Sequence, residues 1–124
     1  MTAASDDPQT VAAAEDAARS MRERDLNDLR VVLDLAAGRR LLWRLLGMAG
    51  IYEGTVRGDG VELAALRDGR RQLGIELLQE IHAANDEAYV RMQVQHLEDE
   101  RDRARIVAEA QRAAQEMRDS DGLA

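Results

Sequence analysis

The chain has one proline, at position 8, and none after it. Downstream, apolar residues recur at three- and four-residue spacings. The first set is Val11, Ala14, Ala18 and Met21. The second is Leu29, Val32, Leu35, Leu42 and Leu46, and the third Leu63, Leu66, Leu73, Leu77 and Ile81. That period is the period of an α-helix, and no long stretch alternates as a strand would. Asp7-Pro8 is a helix start, because Asp7 can accept backbone N–H groups and proline at the first helical position loses no needed donor. The next helix is expected to begin near Asp25 or Asp28 and to run to the glycines Gly47 and Gly50. A glycine-rich connector, IYEGTVRGDG, follows, with Ile51 and Tyr52 expected to fold back over the end of the helix pair. Asp59 is placed as N-cap of the third helix, with Glu62 at capping-box spacing. Asn85 or Asp86 is the expected cap of a last helix running from about Glu87 toward Arg118, with the tail DSDGLA frayed.

The expected class is therefore all-α: a central antiparallel helical hairpin, a long C-terminal helix and an alanine-rich N-terminal helical arm. The arm takes residues 1–24, the helical core 25–92 with its loop at 50–60, and the C-terminal arm 93–124. The two arms echo each other: VAAAEDAARSMRERD from Val11 resembles VAEAQRAAQEMRDSD from Val107. Small side chains let helices approach closely, and such thin stripes need a partner surface.

The net charge is −7, all basic residues are arginine, and cysteine is absent. Disulfides and thiolate chemistry are excluded. Non-specific attraction to nucleic acid is disfavoured for the chain as a whole. The acidic N-terminus has no basic-then-apolar pattern of a secretion signal, and no apolar run approaches a membrane span. His82 and His96 lack metal-ligand neighbours at credible spacing. No nucleophile–base set or phosphate loop stands out, so neither cofactor, metal nor catalytic residue is expected. The alternating charges EDERDRAR, Glu98 to Arg105, read as a solvated helix face.

What does stand out is a pair of Gly-Arg-Arg motifs, Gly38-Arg39-Arg40 and Gly69-Arg70-Arg71, each inside an apolar helical pattern. Leu42 and Leu46 of the first match Leu73 and Leu77 of the second. Arg39 and Arg70 each lie between leucines, which leaves two readings open. They are structural pins, snorkelling or paired with Asp34, Asp68, Glu76 or Glu80. Alternatively, Arg39, Arg40, Arg70 and Arg71 form a basic face for a carboxylate-rich partner or phosphate. Gly38, Gly69 and Gly74 each cost about 1 kcal/mol within a helix relative to alanine, which suggests close backbone approach. Trp43, at the repeat position of Gly74, is expected to be a core anchor packed over the backbone that Gly74 exposes.

These motifs resemble a small family of short-tailed bacteriophage proteins, of the type found in a Bordetella phage. That family is encoded in the head-gene module near the portal and major capsid protein. The elements that carry the resemblance are Gly38-Arg39-Arg40, Leu42-Trp43, Leu45-Leu46 and Ala49-Gly50-Ile51-Tyr52. They continue with Gly69-Arg70-Arg71, Gly74-Ile75-Glu76-Leu77-Leu78 and Glu87-Ala88-Tyr89, and the match spans about residues 28–92. Arg67-Asp68, Gln72-Leu73 and Ile51 depart from the family pattern. The resemblance implies a non-enzymatic virion or head-assembly protein that docks through helices, near the portal or inside the head. Portal or capsid proteins would be its partners, in multiple copies, with the host cytoplasm as the place of assembly. The alternatives are a transient scaffold or chaperone, and a small nucleic-acid-binding regulator.

Overall fold

The computed structural model describes residues 7–52 and 60–122. Among them are four helices and no strand: α1 (Pro8–Asp34), α2 (Ala36–Met48), α3 (Val61–Ala84) and α4 (Ala88–Gly122). The class is all-α, as the periodicity requires. The chain divides into two compact units, residues 1–89 and 90–124.

In the first unit α1, α2 and α3 pack against one another pairwise, so the core is a three-helix arrangement rather than a two-helix hairpin. Leu33 of α1, Leu42 and Leu46 of α2, and Ile81 and Ala84 of α3 are buried, together with Ala88 in the first turn of α4. Full burial of a leucine or isoleucine contributes about 1.5–3 kcal/mol, and half-buried Leu29, Val32, Leu77 and Leu78 add to these side chains.

α1 starts where the sequence places it. Asp7 accepts from the Gln9 N–H at 3.1 Å, and Pro8 occupies the first turn. It does not stop near Asp25. The stretch from Met21 to Leu35 lacks glycine and proline, and nothing there interrupts the backbone ladder, so arm and core helix are one 27-residue element. The expected helix from Asp25 or Asp28 to Leu46 is instead broken at Leu35. That residue is extended (φ −92°, ψ 132°), and its N–H donates to the Val32 carbonyl at 3.2 Å. Leu35, read as part of the buried stripe, is exposed as a result.

α2 ends as its glycines suggest. Gly50 takes a positive φ of 75°, which glycine adopts without strain. The reversal carries Ile51 back onto α3. The N-cap of α3 is Gly60, without a side-chain cap bond, rather than Asp59, which lies outside the described residues. At the α3–α4 corner the Asn85 side chain accepts from the Glu87 N–H at 3.0 Å, an Asx turn that starts the last helix.

Only the second half of α3 is covered. From Val61 through Leu73 every residue is exposed, and burial begins at Gly74. The sequence stripe Leu63, Leu66, Leu73 lies on solvent, because no other described helix extends along it.

The second unit is a helix. It has no glycine or proline before Gly122, so it runs past the expected end at Arg118. From Glu100 to Gly122 all its residues are exposed. Arg103–Glu100 (3.2 Å), Arg105–Asp102 (3.7 Å) and Arg105–Glu109 (3.5 Å) link successive turns, which is what a solvated, alternately charged face does. Each such exposed pair adds about 0.3–0.5 kcal/mol.

Candidate functional site

The two Gly-Arg-Arg motifs have different surroundings. Gly38 is buried at the α1–α2 corner. A Cβ there would collide with the Val32 carbonyl oxygen and touch the Val32 side chain. Next to it, Arg39 is half-buried and donates from Nη1 to the Leu33 carbonyl at 2.8 Å. The last carbonyls of a helix have no partner within it. Here Val32 O is satisfied by Leu35 N–H and Leu33 O by Arg39. Gly38-Arg39 is thus the device that lets the chain break and turn between two helices.

The second motif does none of this. Gly69 has open space where a Cβ would go. Arg70 and Arg71 are exposed, as is Arg40 of the first motif. Among the described residues no carboxylate pairs with Arg40, Arg70 or Arg71. The four arginines grouped by sequence therefore separate into one internal pin, Arg39, and three exposed cations.

The polar ties between α1 and α3 come from residues outside the motif. Arg30 donates from Nε to the Ala84 carbonyl at 2.7 Å, capping the C-terminal end of α3, where a cation is also favoured by the helix dipole. Its Nη1 donates to Glu23 at 2.9 Å and to Asn27 at 2.5 Å, which fixes the guanidinium. Arg22 pairs with Glu80 at 2.5 Å. That hydrogen bond, stronger than the opposing desolvation, lowers the Glu80 carboxyl below the usual glutamate range and raises the Arg22 guanidinium. Glu80 had been a candidate partner of Arg39 or Arg70. The available signal for Arg30 was its place next to Leu29 and one turn before Leu33, on the face of α1 that enters the core.

All three aromatic residues of the chain meet in one cluster of the first unit. Trp43 stacks on Tyr89 (centroids 5.8 Å apart, planes at 29°) and lies against Tyr52 (5.7 Å, 32°). The two tyrosine hydroxyls are 2.7 Å apart and hydrogen-bonded, and His82 lies 5.9 Å from Tyr89. Partial burial, then the bond to Tyr89, raises the Tyr52 phenol pKa. The cluster joins α2, the segment after it, α3 and the start of α4. Aromatic pairs of this kind contribute about 0.5–1.5 kcal/mol beyond area burial. Trp43 is half-buried and lies against both tyrosines, and none of the atoms nearest to a Cβ on Gly74 belongs to it. A Cβ on Gly74 would lie 2.5 Å from Ile51 Cγ2 and 2.6 Å from Ala49 Cβ. The close approach read from Gly74 is real, and the segment after α2 makes it.

Chemically, the site offers ring surface, hydroxyls and cations. Among the described residues no group of three or more His, Cys, Asp or Glu side chains is arranged to hold a metal. No described helix is long and apolar enough to cross a membrane.

These features define an all-helical protein organised by helix-end arginines and one aromatic cluster. The cluster, both Gly-Arg-Arg motifs and the Arg30 tie fall within residues 29–94, the stretch matched by the family model of the Bbp19-like phage proteins. The chain belongs to that family and is a bacteriophage protein, as the motifs over residues 28–92 imply. No curated protein and no solved structure matches the chain.

Proposed function

We propose that the chain is a non-enzymatic structural or assembly protein of the phage head, acting by helix docking close to the portal or inside the shell. The observation that carries this reading is the amount of helical apolar surface left open. In the first unit Met21, Leu63, Leu66 and Leu73 are exposed, and in the second Val94, Leu97, Ile106 and Met117. Most of a helix's stability in a protein comes from packing its apolar face, so helices with such uncovered stripes gain stability by docking. Family membership supplies the context, since phage structural proteins act in assemblies. The exposed Arg40, Arg70 and Arg71 would set orientation against portal or capsid carboxylates. The net charge of −7 weighs against the nucleic-acid regulator.

The test is mass spectrometry of purified particles and precursor heads, with copy number measured against the portal protein. A fixed ratio in mature particles is the expected result. Presence in precursor heads alone would replace this reading with a scaffold or chaperone. Absence from both would remove the head role altogether.

A further inference from the structure

The first half of α3 continues the buried face of its second half, and among the described residues no helix is laid over it. Leu63, Leu66, Arg70, Leu73 and Leu77 follow the 3,4,3,4 spacing of a heptad seam. Leu77 is half-buried, whereas Leu63, Leu66 and Leu73 are 53%, 58% and 64% exposed. Arg70 lies within the seam and Arg71 is the next residue, about 100° further round the helix, both without a carboxylate partner among the described residues. This occurs in a chain with 24 acidic side chains against 17 basic ones, where arginines of α1 and α4 do find partners.

We propose that residues 61–73 of α3 form a docking face for an acidic amphipathic helix of another polypeptide. The face is about 20 Å long at 1.5 Å per residue, enough for roughly three to four turns of a partner. Its leucines would be covered by the partner's apolar seam. Arg70 is a cation at a seam position, and such a position selects its partner by charge: a carboxylate opposite it is satisfied, and a second cation is not. In-register parallel pairing of two copies of α3 would set Arg70 against Arg70, which disfavours that arrangement of a second copy. The inference rests on the reading of the chain as a docking protein, and it names the face and the partner chemistry.

The experiment uses the full chain and two synthetic amphipathic helices about four heptads long, both with leucine seams. One carries glutamate at its flanks and the other lysine. Binding is followed by fluorescence anisotropy, and helicity and sedimentation of the chain are measured alongside. The chain is expected to bind the glutamate helix roughly threefold to fivefold more tightly than the lysine helix, the effect of one partly exposed charge pair at Arg70. The double variant Arg70→Glu/Arg71→Glu should reverse that order. Leu63→Ser/Leu66→Ser should bind neither helix. All four residues are exposed, so these variants should keep the parent's circular dichroism. Equal binding of both helices, or of neither, would overturn the proposal. So would a concentration-dependent dimer lost in Leu63→Ser/Leu66→Ser, which would assign the face to a second copy. Particle composition is independent of all these outcomes, so a failed head role and a failed docking face are told apart.

Discussion

Gly38-Arg39-Arg40 and Gly69-Arg70-Arg71 are the same three residues in the same kind of apolar pattern, yet only the first is built into the fold. Gly38 has a carbonyl where its Cβ would be, and Arg39 closes the end of α1. Gly69 faces open space and Arg70 reaches solvent. What separates the copies is where the chain turns. The first sits three residues after a break, where a helix leaves carbonyls unsatisfied. The second sits in the middle of an unbroken helix, where the backbone has its own partners. A motif acquires a structural role from the unsatisfied groups around it.

The glycines offer the sharpest way to break this comparison. Gly38→Ala must push a backbone carbonyl aside and is expected to cost about 3 kcal/mol. Gly69→Ala removes a flexible residue from an open helix position and should stabilise by about 1 kcal/mol. Urea unfolding followed at 222 nm measures both. If the two substitutions act alike, the corner geometry at Gly38 is wrong. Gly74→Ala belongs between them, because its clash with Ile51 and Ala49 is partly offset by helix propensity. A net loss of about 1–2 kcal/mol is expected.

The arginines give a smaller contrast. Arg39→Met removes a charged donor from a helix-end carbonyl and should cost about 1.5 kcal/mol. Arg70→Met should fall within about 0.5 kcal/mol of the parent. Matched thermal melts would show the difference, and equal losses would mean that Arg70 too is internal. If the proposed docking is right, the Arg70 variant weakens partner binding while leaving the melt unchanged.

The smallest effect is that of pH on the tie outside both motifs. The Glu80 carboxyl is held below its ordinary value by Arg22. Its contribution is fully present above the unfolded glutamate pKa and is lost as pH falls through the lower folded value. The stability gap between parent and Glu80→Gln should therefore be present at neutral pH and close on acidification. A gap that persists at a pH below both values would show that Glu80 acts other than through its charge. Both side chains are substantially exposed, so added salt should shrink the gap as well.

Helix content was legible because local signals speak for themselves: Asp7-Pro8 begins a helix, Gly50 ends one and Asn85 caps the α3–α4 corner. The 3.6-residue period also named part of the core, since Leu42, Leu46 and Ile81 stand in the predicted stripes and are buried. The period names a face without saying whether anything covers it. Leu63, Leu66 and Leu73 have the same spacing as the buried residues and are exposed. The aromatic cluster was legible only as separate letters. Trp43, Tyr52 and Tyr89 are brought together by a reversal at Gly50 and a corner at Asn85, and no periodicity links positions that far apart. The ties of Arg30 and Arg22 have no local pattern for the same reason: their partners, Ala84 and Glu80, are 54 and 58 residues away.

By itself the sequence determined that the chain is helical, where most helices start and stop, which faces are apolar, and that it carries the motifs of a phage family. Those properties depend on backbone conformation and on neighbours within a turn or two. The tertiary structure decided that α1 breaks at Leu35, that Arg39 and not Arg70 is a pin, that Gly74 receives Ile51, and that half of α3 stays uncovered. The seating of Ile51 on Gly74 and the uncovered half of α3 depend on contact between residues far apart in the chain, and contact energy belongs to a pair of surfaces rather than to either segment alone; the break at Leu35 and the bond of Arg39 to Leu33 are short-range but depend on the three-dimensional path of the corner, which apolar periodicity does not encode.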